Sequence, residues 1–147
     1  MCPRAASERD IVVDVPGFQR LRLRLWARCG GGLAAHNSQA VLENVLIHGN
    51  TAILGAGLFA NDSQLTLIDC EIRDNINRQD NLSNAPQGGG VHALDTDLEM
   101  TGCTISGHGG VKNGGGVYAA GLDLASNVTM TGGVLLLNEA EMAGGGM

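Results

Sequence analysis

The side chains of this sequence best suited to moving protons are His108, set between two glycines in "TISGHGG" (residues 104–110), and the nearby acids Asp95, Asp97 and Glu99. A solvent-facing imidazole titrates near neutral pH and serves as a general acid or base. Cleavage of a polysaccharide would ask for more, namely two or more carboxylates converging on one exposed face. The four cysteines, at positions 2, 29, 70 and 103, lack the C-x-x-C spacing of a metal site. Whether His108 meets the acids depends on the elements that carry them.

Those elements repeat. Three 21-residue stretches align without a gap: "GGGLAAHNSQAVLENVLIHGN" from Gly30, "GAGLFANDSQLTLIDCEIRDN" from Gly55 and "GGGVHALDTDLEMTGCTISGH" from Gly88. A fourth copy starts at Gly114 and aligns after a four-residue insertion, and a fifth begins at Gly144. The starts are separated by 25, 33, 26 and 30 residues. Within each copy, apolar residues come in period-two pairs. The first pair is Leu33/Ala35, Leu58/Ala60, Val91/Ala93 and Val117/Ala119. The second is Ala40/Leu42, Leu65/Leu67, Leu98/Met100 and Val128/Met130; the third is Val45/Ile47, Cys70/Ile72, Cys103/Ile105 and Gly133/Leu135. Alternation of this kind marks short strands with one buried face, and the Gly, Asn, Asp and Ser between them are turn formers. A helical solenoid would need longer runs at 3.6-residue period, which Gly and Asn interrupt throughout. The pattern predicts an all-β parallel β-helix of about four coils, three strands to a coil, with like residues stacked about 4.8 Å apart.

The pairing of "GGG-aliphatic-x-Ala" with "aliphatic-x-x-Asn-x-Ala", read here as "IHGNTA" (47–52), "LLLNEA" (135–140) and more weakly "IRDNIN" (72–77), resembles the repeats of polymorphic outer-membrane and related β-helix surface proteins. Ile or Leu stands where those families have Phe. The resemblance covers residues 30–147 and implies a right-handed helix of the pectate-lyase-like class, whose members include both enzymes and inert stalks. Gly-His-Gly also resembles a motif near active sites of pectin-degrading β-helices, but no companion Asn-Thr-Asp or Asp-Asp motif accompanies it.

In the alignment, Asn50, Asn75 and Asn138 share one column near the end of each coil, and His108 is its fourth member. An inward Asn ladder would bond backbone groups at the turn. This assigns His108 to a structural turn ladder, and no catalytic residue is assigned. The outward columns Val41/Thr66/Glu99/Thr129 and Leu46/Glu71/Thr104/Val134 gather no paired acids. A further column, expected to face out, holds Ala34, Phe59, His92 and Tyr118. Stacked rings there could dock a sugar or a partner surface, or simply stabilise the sheet. Cys70 and Cys103 stack in one inward column and read as free, buried thiols. Two insertions, at 76–87 and 120–127, are expected to protrude as loops.

Residues 1–29 carry six arginines against Glu8, Asp10 and Asp14, a net +3, whereas 30–147 carry three basic residues against twelve acids, a net −9. So acidic a body repels phosphate backbones and disfavours nucleic acid. No stretch is apolar enough to cross a membrane as a helix, and "MCPRAASERD" lacks the apolar core of a signal peptide. Sequons at Asn61, Asn81 and Asn127 are possible glycosylation sites. In 10–29, Leu21, Leu23 and Leu25 alternate with Arg20, Arg22 and Arg24, which predicts a strand pairing with the first coil as a partial cap. The C-terminal end reads as an uncapped strand edge, as in a fragment, open to self-association. The functional expectation is a non-enzymatic structural or adhesive segment of an extracellular or cell-surface protein, without cofactor or metal. A polysaccharide lyase or glycoside hydrolase fragment and a carbohydrate-binding module are the alternatives.

Overall fold

Residues 9–13, 21–25, 31–78 and 87–147 are described by a computed structural model. Strands β1 (Arg9–Val13) and β2 (Leu21–Leu25) pair with each other, antiparallel. The remaining strands fall into four coils of four. Coil one holds β3 (Leu33–His36), β4 (Gln39–Glu43), β5 (Leu46–His48) and β6 (Thr51–Ala52). Coil two holds β7 (Leu58–Asn61), β8 (Gln64–Ile68), β9 (Glu71–Arg73) and β10 (Ile76–Asn77). Coil three holds β11 (Val91–Leu94), β12 (Asp97–Thr101), β13 (Thr104–Ser106) and β14 (Val111–Asn113). Coil four holds β15 (Val117–Ala120), β16 (Asn127–Thr131), β17 (Val134–Leu136) and β18 (Ala140–Ala143).

Three parallel four-stranded sheets run along the axis, made by the first, second and third strands of each coil. The chain is a parallel β-helix. Leu33, Leu58, Val91 and Val117 are direct register partners, as are Leu42, Leu67, Met100 and Met130, and Ile47, Ile72, Ile105 and Leu135. These inward ladders, with Ala35, Ala60 and Ala93, form one continuous apolar core. Like side chains in a column pack without volume mismatch, so register and core specify each other.

The corners explain the turn residues. Asn37, Asp62 and Asp95 hold φ of 48°, 49° and 47° at the first turn; Asn44, Asp69 and Gly102 hold 55°, 49° and 65° at the second; Gly49, Asp74 and Gly107 hold 65°, 52° and 68° at the third. Asn, Asp and Gly are the residues that adopt this left-handed conformation at least cost. Leu137 completes the third-turn column at φ 54° and is the sole residue there without that tolerance. Gly55, Gly88, Gly114 and Gly144, which open the later glycine motifs, have the same requirement: Gly88 sits at φ 63°, and a side chain there would run into the Val91 carbonyl.

Three expectations are corrected. A fourth short strand follows the third turn, with β6 paired to β10 and β14 to β18; two or three residues are too few to display an alternation. Among the described residues β2 finds its hydrogen-bonding partner in β1 rather than in coil one, although it lies beside β3. The inserted segments are shorter than expected, because Ile76–Asn77 and Gln87 still bridge neighbouring coils and the second insertion spans only 121–126.

Candidate functional site

The first turn, stacked coil upon coil, forms the floor of an open groove of about 920 Å³ whose lining is mostly polar. The outward column Gln39–Gln64–Asp97–Asn127 supplies one wall, in strict register along the second sheet. Within it, Gln39 Nε2 donates to Gln64 Oε1 at 3.1 Å and Asn127 Nδ2 donates to Asp97 Oδ1 at 2.8 Å. His36 also lines the groove, and its Nδ1 lies 3.1 Å from the Nδ2 of Asn61. The 121–126 loop closes the coil-four end. It is docked by Asp95, whose Oδ1 accepts the backbone N–H groups of Leu122, Asp123 and Leu124 at 2.6, 3.2 and 3.0 Å. Burial pushes the Asp95 carboxyl up, but these three donors outweigh it and hold its pKa below the ordinary value.

Beneath the groove lies a hydroxyl ladder that the sequence reading missed. Ser63 Oγ, Thr96 Oγ1 and Ser126 Oγ accept the backbone N–H of Ser38, Ser63 and Thr96, at 3.3, 3.3 and 3.0 Å. Ser38, Ser63 and Thr96 each donate their hydroxyl to the carbonyl two residues back. The column Ser38/Ser63/Thr96/Ser126 was visible in the aligned repeats, where it passed as ordinary turn chemistry.

The Asn/His column forms a second ladder at the third turn. Asn75 Oδ1 accepts from the N–H of Asn50 at 2.9 Å and from its Nδ2 at 3.0 Å, while Asn75 Nδ2 donates to the Ile47 carbonyl at 3.1 Å. Asn138 repeats this scheme one coil pair further on, accepting from the His108 N–H at 3.3 Å and donating to Ile105 at 2.9 Å. His108 lies between them, 1% exposed, and reproduces the amide with its ring. Its Nδ1 is 3.1 Å from the Asn75 nitrogen and its Nε2 is 3.0 Å from the Ile72 oxygen. Space for the larger ring comes from Gly90, where a methyl group would lie 2.7 Å from the imidazole. An imidazole so enclosed has no access to a substrate.

Phe59, His92 and Tyr118 do stack, with ring centroids 5.3 and 5.0 Å apart. The expectation that this column faces solvent is corrected: Phe59 is 7% exposed and His92 3%, and only Tyr118 is half-open. The turn leading into β11 curls against this face, placing the Gln87 carbonyl 3.4 Å from His92 Nδ1. Phe59 and His92 are therefore closed off on this face, and the three rings contact one another.

The acids do not converge with His108. Asp95 is occupied by the loop and Asp97 by Asn127, while Glu71 and Asp74 pair with the half-buried Arg73 at 2.9 and 2.8 Å. No group of three or more His, Cys, Asp or Glu is placed to hold a metal ion among the described residues. Cys70 and Cys103 are free, buried thiols, and burial pushes the Cys70 thiol above its ordinary pKa. Of the sequons, Asn61 is half-buried against His36, Asn127 is exposed at the start of β16, and Asn81 lies outside the described residues, as do Cys2 and Cys29. No helix among the described residues is long and apolar enough to cross a membrane. Compared with known protein families, with curated proteins and with solved structures, the chain matches none of them.

Proposed function

We propose that this β-helix is a non-enzymatic structural and adhesive segment of an extracellular or cell-surface protein, in keeping with its resemblance to polymorphic outer-membrane repeats, and that its first-turn groove is the adhesive face. The observation that carries the reading is the disposition of polar groups. His108 and Asp95 are buried, one in a turn ladder and the other in loop docking, whereas the Gln39–Gln64–Asp97–Asn127 column, though paired within itself along the axis, is exposed and presents its remaining donors and acceptors at regular spacing along an open groove. Such a row offers alternating donors and acceptors to a chain of hydroxyls. A polyhydroxylated ligand, a glycan, is the partner whose chemistry fits.

A glycan-binding and polyuronate-cleavage screen on the purified chain tests this, with Gln64→Ala/Asp97→Ala beside Tyr118→Ala. Binding lost in the groove double variant, kept in Tyr118→Ala and unaccompanied by cleavage supports the reading. Cleavage products would return the chain to the polysaccharide-lyase or hydrolase class. Loss of binding confined to Tyr118→Ala would move the site to the aromatic column.

A further inference from the structure

Coil three differs from its neighbours in one chemical respect. Two of its buried polar positions hold imidazoles, His92 and His108, where the other coils hold Ala, Phe or Tyr and Asn. Both rings are held in the neutral state by what surrounds them. The Asn75 N–H can only donate, so His108 Nδ1 meets it with a lone pair; the Ile72 carbonyl can only accept, so Nε2 carries the proton. The Asn75 carbonyl is 3.3 Å from Nδ1, farther than the N–H and the lesser partner. A second proton would set donor against donor at the Asn75 amide. The charged group facing His108 is the Asp74 carboxylate, which favours protonation together with the Asn75 and Ile72 carbonyls, yet burial outweighs them and the pKa lies below the ordinary value. His92 is enclosed by the rings of Phe59 and Tyr118 and the Gln87 carbonyl, none of them charged, and burial lowers its pKa to about 4.

We propose that His92 and His108 make coil three an acid-triggered opening element: as pH falls below neutrality, proton uptake by these two rings releases the third-turn ladder and the aromatic stack, while coils one and two keep their pairing. The sign follows from linkage. A histidine takes up its proton near pH 6.5 in the unfolded chain and lower in the folded one, so the stability it confers is complete above about pH 6.5 and is lost as pH falls toward the folded value. Within that window each ring shifts the closed-to-open ratio about tenfold per pH unit, and the two together about a hundredfold. In a repeat array such a loss stays local, because each coil contacts only its neighbours.

The test is amide hydrogen exchange between pH 7 and 5, corrected for intrinsic rates, on the chain and on His92→Phe/His108→Asn. That variant installs the residue types of coil two at the same two columns. Below about pH 6.5, protection at the Asn75 amide should fall by about tenfold per pH unit and by up to about a hundredfold where both rings contribute, while the Asn44 amide, bonded to Ile68 at 2.9 Å, stays protected. The double variant should lose this slope. An equal slope in the variant, or equal loss at Asn75 and Asn44, overturns the proposal. Should the variant not fold, the imidazole 15N shifts of the unmodified chain decide. A neutral Nε2–H ring at pH 6 supports the proposal, and a His108 pKa at or above 6.5 overturns it.

Discussion

Replacing Asn75 by alanine removes the central rung of the third-turn ladder. Asn75 is 0% exposed, and its amide makes three hydrogen bonds: from the Asn50 N–H, from Asn50 Nδ2 and to the Ile47 carbonyl. Two of the partners left behind are main-chain groups, and a buried main-chain group without a partner costs about 1–3 kcal/mol. The Asn50 side chain, being half-buried, recovers its lost bond from water. The expected loss is therefore about 2–6 kcal/mol, or a melting temperature lower by roughly 10 °C for a chain of this size. Urea denaturation followed by circular dichroism measures it, with Asn127→Ala as reference. Asn127 is exposed and its side chain makes one bond, to Asp97, so its loss should stay within about 0.5 kcal/mol. Asn75→His should cost less than Asn75→Ala, because Gly57 lies beneath Asn75 as Gly90 lies beneath His108. An Asn75→Ala variant within 1 kcal/mol of the parent, or His no better than Ala, would refute the ladder as a source of stability.

Leu137→Gly should stabilise the chain by about 0.5–1 kcal/mol, since a branched residue at φ 54° carries backbone strain that glycine relieves; a drop in the urea midpoint would contradict this. Gly90→Ala should cost about 3 kcal/mol, its methyl lying 2.6 Å from the Gly116 carbonyl and 2.7 Å from the His108 ring. Gly109→Ala, with nothing within 4 Å of the added carbon, should be neutral within about 0.5 kcal/mol, and similar midpoints for the two variants would refute the packing argument. Cys70 should resist alkylation in the folded state and react only after urea unfolding, as read by mass spectrometry; rapid labelling of the native chain would contradict its burial.

The inward ladders were legible because period-two alternation and repeat length carry the same information: once Gly30, Gly55, Gly88 and Gly114 are aligned, Leu33, Leu58, Val91 and Val117 must stack. The placement of His108 among asparagines was legible for the same reason. Burial of the Phe59–His92–Tyr118 column was not, since alternation reports which face meets the core and is silent about what covers the other. Thr51–Ala52 and Ile76–Asn77 are too brief to show any period. The hydroxyl ladder escaped because serine at a turn is expected on local grounds, and its axial partner lies 25 to 33 residues away.

Both ladders point the same way. The side chains of Ser63, Thr96, Asn75 and His108 reach back to main-chain groups of the coil before them. Each coil is thus finished by its successor. On a ribosome, a newly emerged coil would wait with open N–H groups until the next one arrived to close them. A lesion in one coil would accordingly be felt upstream, by the coil already made, so that the rod records its own order of synthesis in the direction of its hydrogen bonds.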